Sequence, residues 1–410
     1  MAILDTTALT AVLKTQYTQK KVNNLCYPES PVFAAMAKRM DFFGSNKVVA
    51  FQYGSPQGRG ASFSVGLGNM TASVYDKVTV TRAKDYAFAQ VQGEAVDAAK
   101  NDAGALLVAL KKEIDNAFYT VGRSIANSLF QTGGGARGQI DASTTLGSAV
   151  LVLKNKNSVV NFEKNMVLNL ASTDGTSGSK RVGTLTIASI DRDAGTLTMT
   201  GNITAGVAAA ASQDFIFQNG DFEAVKSLPV GIPGWVPKVA PTAGDNFFGL
   251  DRSADVTRLA GLRYTAGAGG PIEETLVQCA ARLAREGGKP DLAVLNPLDF
   301  ANLVVALGSK VIYERLGSSD DPAIGFDAVK LMGPKGPIRI VPDYNCPSGD
   351  GYMLTMSTWS FETLLGAPRI LNLDGNDMRA DSTTDSYIIR IGYYGNFICE
   401  APGWNAYFAI

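Results

Sequence analysis

The residue types that most often carry chemistry are either missing from this chain or badly spaced for it. Histidine does not occur among the 410 residues, so Ser-His-Asp and Cys-His nucleophilic arrangements and His-ligated zinc are impossible. Carboxylate and lysine chemistry stays open, without the commonest acid–base group. The four cysteines, Cys26, Cys279, Cys346 and Cys399, are scattered with no CxxC pair. That spacing supports neither a zinc site nor a thioredoxin-like motif and reads as buried free thiols in a reducing compartment. Gly133-x-Gly135-x-x-Gly138 has the dinucleotide spacing. It follows a helical pattern and runs into the loop Gln139-Ile-Asp-Ala, whereas pyrophosphate binding needs a strand before the glycines and a helix after them. No GxxxxGK[ST] phosphate loop is present. Asp191-Arg-Asp193-Ala-Gly195 faintly resembles a calcium loop but lacks a third ligand position and the closing Glu, so it reads as a hairpin turn. Asp320-Asp321 and the series Asp374, Asp377, Asp381 and Asp385 read as solvated loops, a weak divalent-ion site at a subunit junction being the minor alternative. No acid pair has glycosidase character. The residues point to no cofactor, no metal and no enzyme.

Composition bounds the remaining classes. Hydrophobic residues make up 46% of the chain, enough for a sizeable core, and its length allows two or more domains. Charged residues make up only 18%, below the ~25% of an ordinary soluble chain. A surface that poor in charge is tolerable if much of it is covered by partners. The net charge is −1 and there is no Lys/Arg run. A dedicated nucleic-acid grip is therefore not expected, although a protein that merely encloses nucleic acid stays open. No apolar run approaches the ~20 residues of a membrane span. The start, Met1-Ala-Ile-Leu-Asp-Thr-Thr, lacks the pattern of a signal peptide. The expectation is a chain made in a cytoplasm and soluble there, with no membrane partner.

The elements carry more than the motifs do. Residues 1–43 read as an arm in which Pro28 and Pro31 enforce an extended path and Phe33, Met36 and Met40 form an apolar contact strip. Residues 44–97 read as a long hairpin: an outgoing arm Lys47 to Gly54, a Gly/Ser-rich tip Ser55 to Asn69, and a return arm alternating with period two from Tyr75 to Gln90. An isolated two-stranded hairpin is marginal in water and exposes strand edges. Arg59 and Phe63 at the tip and Lys77, Arg82 and Lys84 on the return arm are therefore candidate contacts with a neighbouring subunit. From about Ala98 to Gln131 the residues Leu107, Leu110, Ile114, Phe118, Val121, Ile125 and Leu129 form one apolar stripe of a long helix. Asn101 or Asp102 starts it and Gly133 ends it. Residues 157–223 read as a compact β-barrel or sandwich inserted into a larger domain, and 224–270 as ordered loop. A helix from Glu273, a buried strand Asp291 to Leu295, and a helix capped by Asn296-Pro297 give an α+β core, followed by short strands to Ile410.

This order of elements resembles the major capsid proteins of tailed bacteriophages, the Hong Kong 97-type fold. KVTVTRAKDYAFAQVQGEAVDAAKND, leading into Asp115-Asn-Ala-Phe-Tyr119, resembles that family's extended loop entering its spine helix. GGKPDLAVLNPLDFANL, from Gly287, is similar to the segment after the second core helix, and the closing IRIGYYGNFICEAPGWNAYFAI to the final strands. The resemblance covers most of the chain and its motifs are architectural. It implies an extended loop at 44–97, a spine helix and peripheral domain at 98–156, and an accessory β-domain at 157–223. It further implies core helices and an axial domain at 224–375, and C-terminal peripheral strands at 376–410. It also implies a protein that self-assembles as pentamers and hexamers into an icosahedral virion shell around double-stranded DNA, made in a bacterial host's cytoplasm. Its partners would be other copies of itself, packaged DNA bound without sequence preference, a portal protein and, as an option, a decoration protein. Gly54–Gly68 and Gly133–Gly138 would be hinges that let one sequence make both capsomers. Some members of that family begin with a long helical scaffolding segment that is cut away; here the hairpin pattern begins at about residue 44, so the resemblance implies a separate scaffolding protein. The type member crosslinks a Lys to an Asn; Lys47, Lys77 and Lys84 are available, but no motif singles one out, and no crosslinks are expected. The rival readings are an encapsulin-like compartment shell and a tail or baseplate component.

Overall fold

The computed structural model describes residues 30–94, 103–222, 228–265, 270–307, 329–372 and 375–410. Outside the described residues lie the arm before Ser30, Cys26, the proposed helix start with Asn101 and Asp102, Asp320-Asp321 and Asp374; the side chains of Leu107 and Leu110 are likewise not described.

The central element is the 14-residue strand Ser386–Cys399. Its stretch Ser386–Gly395 pairs antiparallel with Ala83–Gln92, in register from Ser386↔Gln92 to Gly395↔Ala83. Its end, Gly395–Cys399, pairs antiparallel with Trp359–Thr363, which in turn takes Ala37–Arg39 as a parallel edge strand. The sequence pattern suggests two separate strands at Tyr387–Tyr393 and Phe397–Glu400; a single uninterrupted strand forms instead. The return arm of the hairpin also divides. Only Val74–Thr81 pairs with the outgoing strand Asn46–Gly54, whereas Ala83–Gln92 belongs to the central sheet. The period-two pattern runs unbroken across Arg82 because both halves are extended, and alternation says nothing about which strand lies alongside.

The long helix occupies Ala103–Ser128, 26 residues or about 39 Å. Val121, Ile125 and Leu129 are almost wholly buried against the central sheet. Its C-terminal carbonyls are not left orphaned. Leu129 N donates to Ile125 O (3.0 Å), Phe130 N to Asn127 O (3.0 Å) and Gln131 N to Ser128 O (3.1 Å), a tightened last turn, and beyond it Ile232 N donates to Leu129 O (2.7 Å) and Gly231 N to Gln131 O (3.0 Å).

A mixed six-stranded sheet forms the second half of the body, in the order Leu262–Thr265, Ala406–Ala409, Asp350–Leu354, Leu292–Leu295, Gly336–Pro342, Val329–Gly333. Its central strands are buried on both faces, and their alternation sorts the side chains. Ala293, Leu295, Met353 and Phe408 face the helices Ile272–Arg285 and Pro297–Leu307. Val294, Tyr352, Leu354 and Tyr407 join the core beneath the long helix and central sheet. In the first of those helices Leu276, Cys279, Ala280 and Leu283 make the buried stripe. Asn296 caps the second, its Oδ1 accepting from Leu298 N at 3.0 Å. The segment read as loop, 224–270, contributes the buried turn of helix Ile232–Trp235 and the strand Leu262–Thr265.

The third sheet runs Gly138–Gln139, Phe215–Gln218, Val167–Ala171, Leu185–Asp191, Thr196–Met199, Val150–Val152. It closes on itself. Ile140 bridges Leu153, Asp141 N donates to Val152 O and Lys154 N to Gln139 O, both at 2.9 Å. The barrel encloses its own core, with Ile140, Phe162, Leu168, Ile187 and Ile216 fully buried. It begins at Gly138, some twenty residues before the boundary read from the sequence, because its two shortest strands have too few residues to show a period.

Candidate interaction surface

The hairpin root is built into the body. Val78 and Val80 are buried at 1% and 0% exposure, and Thr79 N donates to Phe248 O at 3.1 Å. Phe247 and Phe248 stack edge-on at 4.9 Å, Phe247 meets Trp235 at 5.0 Å, and the buried Arg252 guanidinium lies 4.0 Å over Phe247. From the other side Asn396 Nδ2 donates to Thr81 O at 2.9 Å.

A charge network fastens the same root. The Glu362 side chain is 1% exposed, with Lys47 Nζ 3.0 Å from its Oε2 and Arg39 Nη1 3.8 Å from its Oε1. Lys47 also reaches Asp41 at 2.9 Å and Arg39 reaches Glu400 at 2.7 Å. Burial works against the Lys47 ammonium, but its hydrogen bond to Asp41 and its ion pair with Glu362 prevail and hold its pKa above the ordinary value. The hydrogen bond from Lys47 holds the Asp41 carboxyl below its ordinary 3.8. The signs give the window. The Asp41 contribution is present above pH 3.8 and lost as pH falls through its lowered value; the Lys47 contribution is complete below pH 10.5 and lost above it. Asp343 and Asp221, both raised by burial, have the opposite sign in acid, so global melting mixes the effects. Amide exchange at residues 46–49 and 79–81 is therefore the measurement. It should accelerate below pH 3.8 after correction for intrinsic rates, and in Lys47→Met it should be fast already at neutral pH, because that change leaves a buried carboxylate with its nearer cation gone.

Beyond the root the tip is folded yet uncovered. The helix Phe63–Gly68 has no buried residue. Phe63 is 86% exposed, Met70 71%, Leu67 57% and Val65 53%. Asn69 Nδ2 donates to Arg59 O at 3.0 Å and Gln57 N to Thr71 Oγ1 at 2.9 Å. At Gly60 an added Cβ would stand 2.5 Å from Gly66 N, so the glycine permits backbone contact across the tip rather than free rotation. Four large apolar side chains thus stand in water within one short stretch of the tip, and exposed apolar surface of this kind is a candidate for interaction.

The other hinge suggested by sequence is also a packing point. A Cβ at Gly134 would collide with Asp174 O. The barrel is further tied to the body by Thr132–Asp174 (2.9 Å) and Arg123–Glu163 (2.6 Å), and the two chain passages at its base are clamped to each other by Arg137–Asp221 (2.9 Å). Gly133-x-Gly135-x-x-Gly138 is thus where helix end, barrel and body backbones meet, not a phosphate cradle.

Of the candidate contacts, Arg59, Phe63, Lys77 and Lys84 are exposed. Arg82 is half-buried, 5.9 Å over the Phe42 ring. Phe33 packs edge-on against Phe361 (5.5 Å) and Phe397 (6.3 Å) of its own chain, and Met36 is 3% exposed. The strip read at Phe33, Met36 and Met40 therefore divides. The first two join the chain's own core, which the central sheet makes available, and only Met40 faces solvent, at 64%. Val65, Leu67 and Met70 were not singled out by sequence; their spacing within the glycine-rich tip is the signal that marks them.

Groups suited to chemistry are spent on structure. Asp191 accepts from Asp193 N and Ala194 N, as a turn residue does, and Asp381 accepts from Thr383 and Thr384. Among the described residues no group of three or more Cys, Asp or Glu could hold a metal ion, and no helix is long and apolar enough to cross a membrane. Cys279, Cys346 and Cys399 are free and buried. Burial pushes the thiols of Cys279 and Cys399 up to about 12 and that of Cys346 well above its ordinary value. Iodoacetamide at pH 8 is expected to leave all three unmodified in the native chain and to alkylate them in denaturant, read by peptide mass mapping.

No family model matches the chain, and no curated protein does. Solved structures do. A chain of the cyanophage A-1(L) capsid asymmetric unit is 12% identical with a TM-score of 0.55, covering 98% of each chain. A capsid chain of the native GTA particle is 11% identical with a TM-score of 0.51, over 99% of this chain and 98% of that one. A chain of the empty GTA particle capsid is 10% identical, TM-score 0.50, over 95% and 99%.

Proposed function

With the fold of phage capsid proteins as premise, we propose that this chain is a major capsid protein of the Hong Kong 97-type that self-assembles as pentamers and hexamers into an icosahedral shell enclosing phage double-stranded DNA. The observation that carries this reading is the hairpin. Its root is locked into the body by buried side chains and ion pairs, while its tip offers Phe63, Val65, Leu67 and Met70 to solvent. A rigid arm with an apolar end has no use to a lone subunit and fits overlap with a neighbour. Each contact can be modest, since a subunit with several neighbours gains by multivalency. In this reading residues 44–97 act as the extended loop, the long helix as the spine, and the barrel as an accessory unit on the outer face. The role is mechanical rather than enzymatic. DNA is held by confinement, without sequence readout. A separate scaffolding protein, a portal protein and an optional decoration protein complete the partners, with assembly in the host bacterial cytoplasm.

Negative-stain electron microscopy of the purified, overexpressed chain tests the reading. Closed polyhedra, or pentamers and hexamers, support it, and nuclease-protected DNA rather than protein cargo in infected-cell particles separates a virion from an encapsulin-like compartment. Tubes or open rings would instead indicate a tail or baseplate part. A monodisperse monomer, persisting on co-expression with the neighbouring scaffold candidate, would overturn it.

A further inference from the structure

Where the barrel, the end of the long helix and the mixed sheet meet, they leave a cleft of about 550 Å³. That lies within the size range of small-ligand sites, which favour such junctions. The wall is unusual in its chemistry. Eight of its 25 residues are Asn or Gln, among them Asn127, Gln131, Gln139, Asn157, Asn296 and Asn345. A carboxamide offers donors and an acceptor on one rigid plane. Internal bonds fix several of these planes. Gln131 Nε2 donates to Asn127 Oδ1 at 3.0 Å and Asn296 Nδ2 to Cys346 O at 2.8 Å. The first bond leaves Gln131 Oε1 and Asn127 Nδ2 for something else.

The four charged residues of the wall are already engaged. Arg137 pairs with Asp221 at 2.9 Å, Lys238 with Asp350, Lys154 Nζ donates to Gln139 Oε1 at 3.0 Å, and Asp174 accepts from Thr132 at 2.9 Å. Two of the three cations are thus neutralised by carboxylates, and the third, Lys154, is exposed and already donates to an amide. Partly exposed Phe215 and Tyr344 add aromatic surface. Tyr352 in the wall has a buried hydroxyl without a hydrogen-bond partner among the described residues, a group that calls for a reason.

We infer that this cleft binds a neutral oligosaccharide. Sugar hydroxyls each donate and accept, as the carboxamides do, and their C–H faces suit the aromatic rings. An extended peptide is the other uncharged ligand rich in donors and acceptors, but it gains affinity mainly from a free strand edge. The strands beside the cleft have none to give: Gln139 O, Asp141 N and Val152 O are used in closing the barrel, and Arg137 N donates to Ile216 O. The inference stands apart from the assembly reading, since the cleft lies within one chain.

The test is a microarray of neutral and acidic oligosaccharides probed with the full chain, unassembled and as shells, followed by saturation-transfer NMR on the strongest neutral ligand. Neutral glycans should bind and acidic ones should not. Gln131→Ala and Asn157→Ala should each weaken binding at least fivefold with unchanged melting temperature, while Val239→Ser, at an exposed residue outside the wall, should change nothing. Absence of binding by any neutral glycan in either form overturns the inference, as does binding that both cleft variants leave intact. Capture of uncharged peptides lost in the same two variants would replace the saccharide with a peptide.

Discussion

Replacing Phe63 and Leu67 together by serine should abolish assembly while leaving the subunit folded. At 86% and 57% exposure in the isolated chain, these side chains give the fold almost nothing, and surface changes of this kind stay within about 0.5 kcal/mol. If the tip docks on a neighbour, each loses roughly 1.5–3 kcal/mol of apolar burial. The pair then removes about 3–6 kcal/mol per contact, or on the order of 10²–10⁴ in each contact's affinity. Repeated over every subunit, that loss is far beyond what a closed shell tolerates. The readouts are electron microscopy and sedimentation for assembly, and circular dichroism melting for the fold. Shells from the double variant would remove the tip from the interface. Loss of both shells and melting transition would mean that the platform supports its own chain.

Asn405→Ala should be among the most destabilising single changes in the body, by about 3–5 kcal/mol, measured by denaturant unfolding. Asn405 is 0% exposed. Its Oδ1 accepts from Thr355 N (2.8 Å) and Trp359 Nε1 (2.9 Å), and its Nδ2 donates to Ala401 O (2.9 Å). One carboxamide thus joins the end of the mixed sheet's strand Asp350–Leu354, the start of the central-sheet strand Trp359–Thr363, and the turn before the last strand. Truncation strands two buried donors, each costing about 1–3 kcal/mol without its partner, and removes side-chain volume from the core, while Ala401 O keeps the bond from Trp404 N (3.1 Å). Asn405→Leu keeps most of the volume and loses every one of these bonds, so it should cost about as much as alanine. A clearly smaller loss would mean that packing volume rather than hydrogen bonding sets the value.

Much of the architecture could be read from local pattern because local physics makes it. The stripe Val121, Ile125, Leu129 requires a helix with one apolar face, and Asn296-Pro297 is a helix start in any context. The absence of histidine closed off whole classes of catalysis before any coordinate was known. What sequence left open was partner choice. The alternation from Tyr75 to Gln90 is the same whether its neighbour is Asn46–Gly54 or Ser386–Cys399, so a single expected return arm became two strands in two sheets. Met36 and Met40 are equally apolar; only the packing of the arm on Trp359–Thr363 buries one and leaves the other in water. The barrel's first two strands, Gly138–Gln139 and Val150–Val152, are too short for any period and exist only through closure. The amide-lined cleft draws its residues from positions 127 to 352, a juxtaposition that no window of sequence contains. Sequence determined the elements, the apolar faces and the exclusions, because those depend on neighbours along the chain. The tertiary structure decided which faces meet, which side chains remain in water and where a cleft opens, because those depend on residues brought together from far apart.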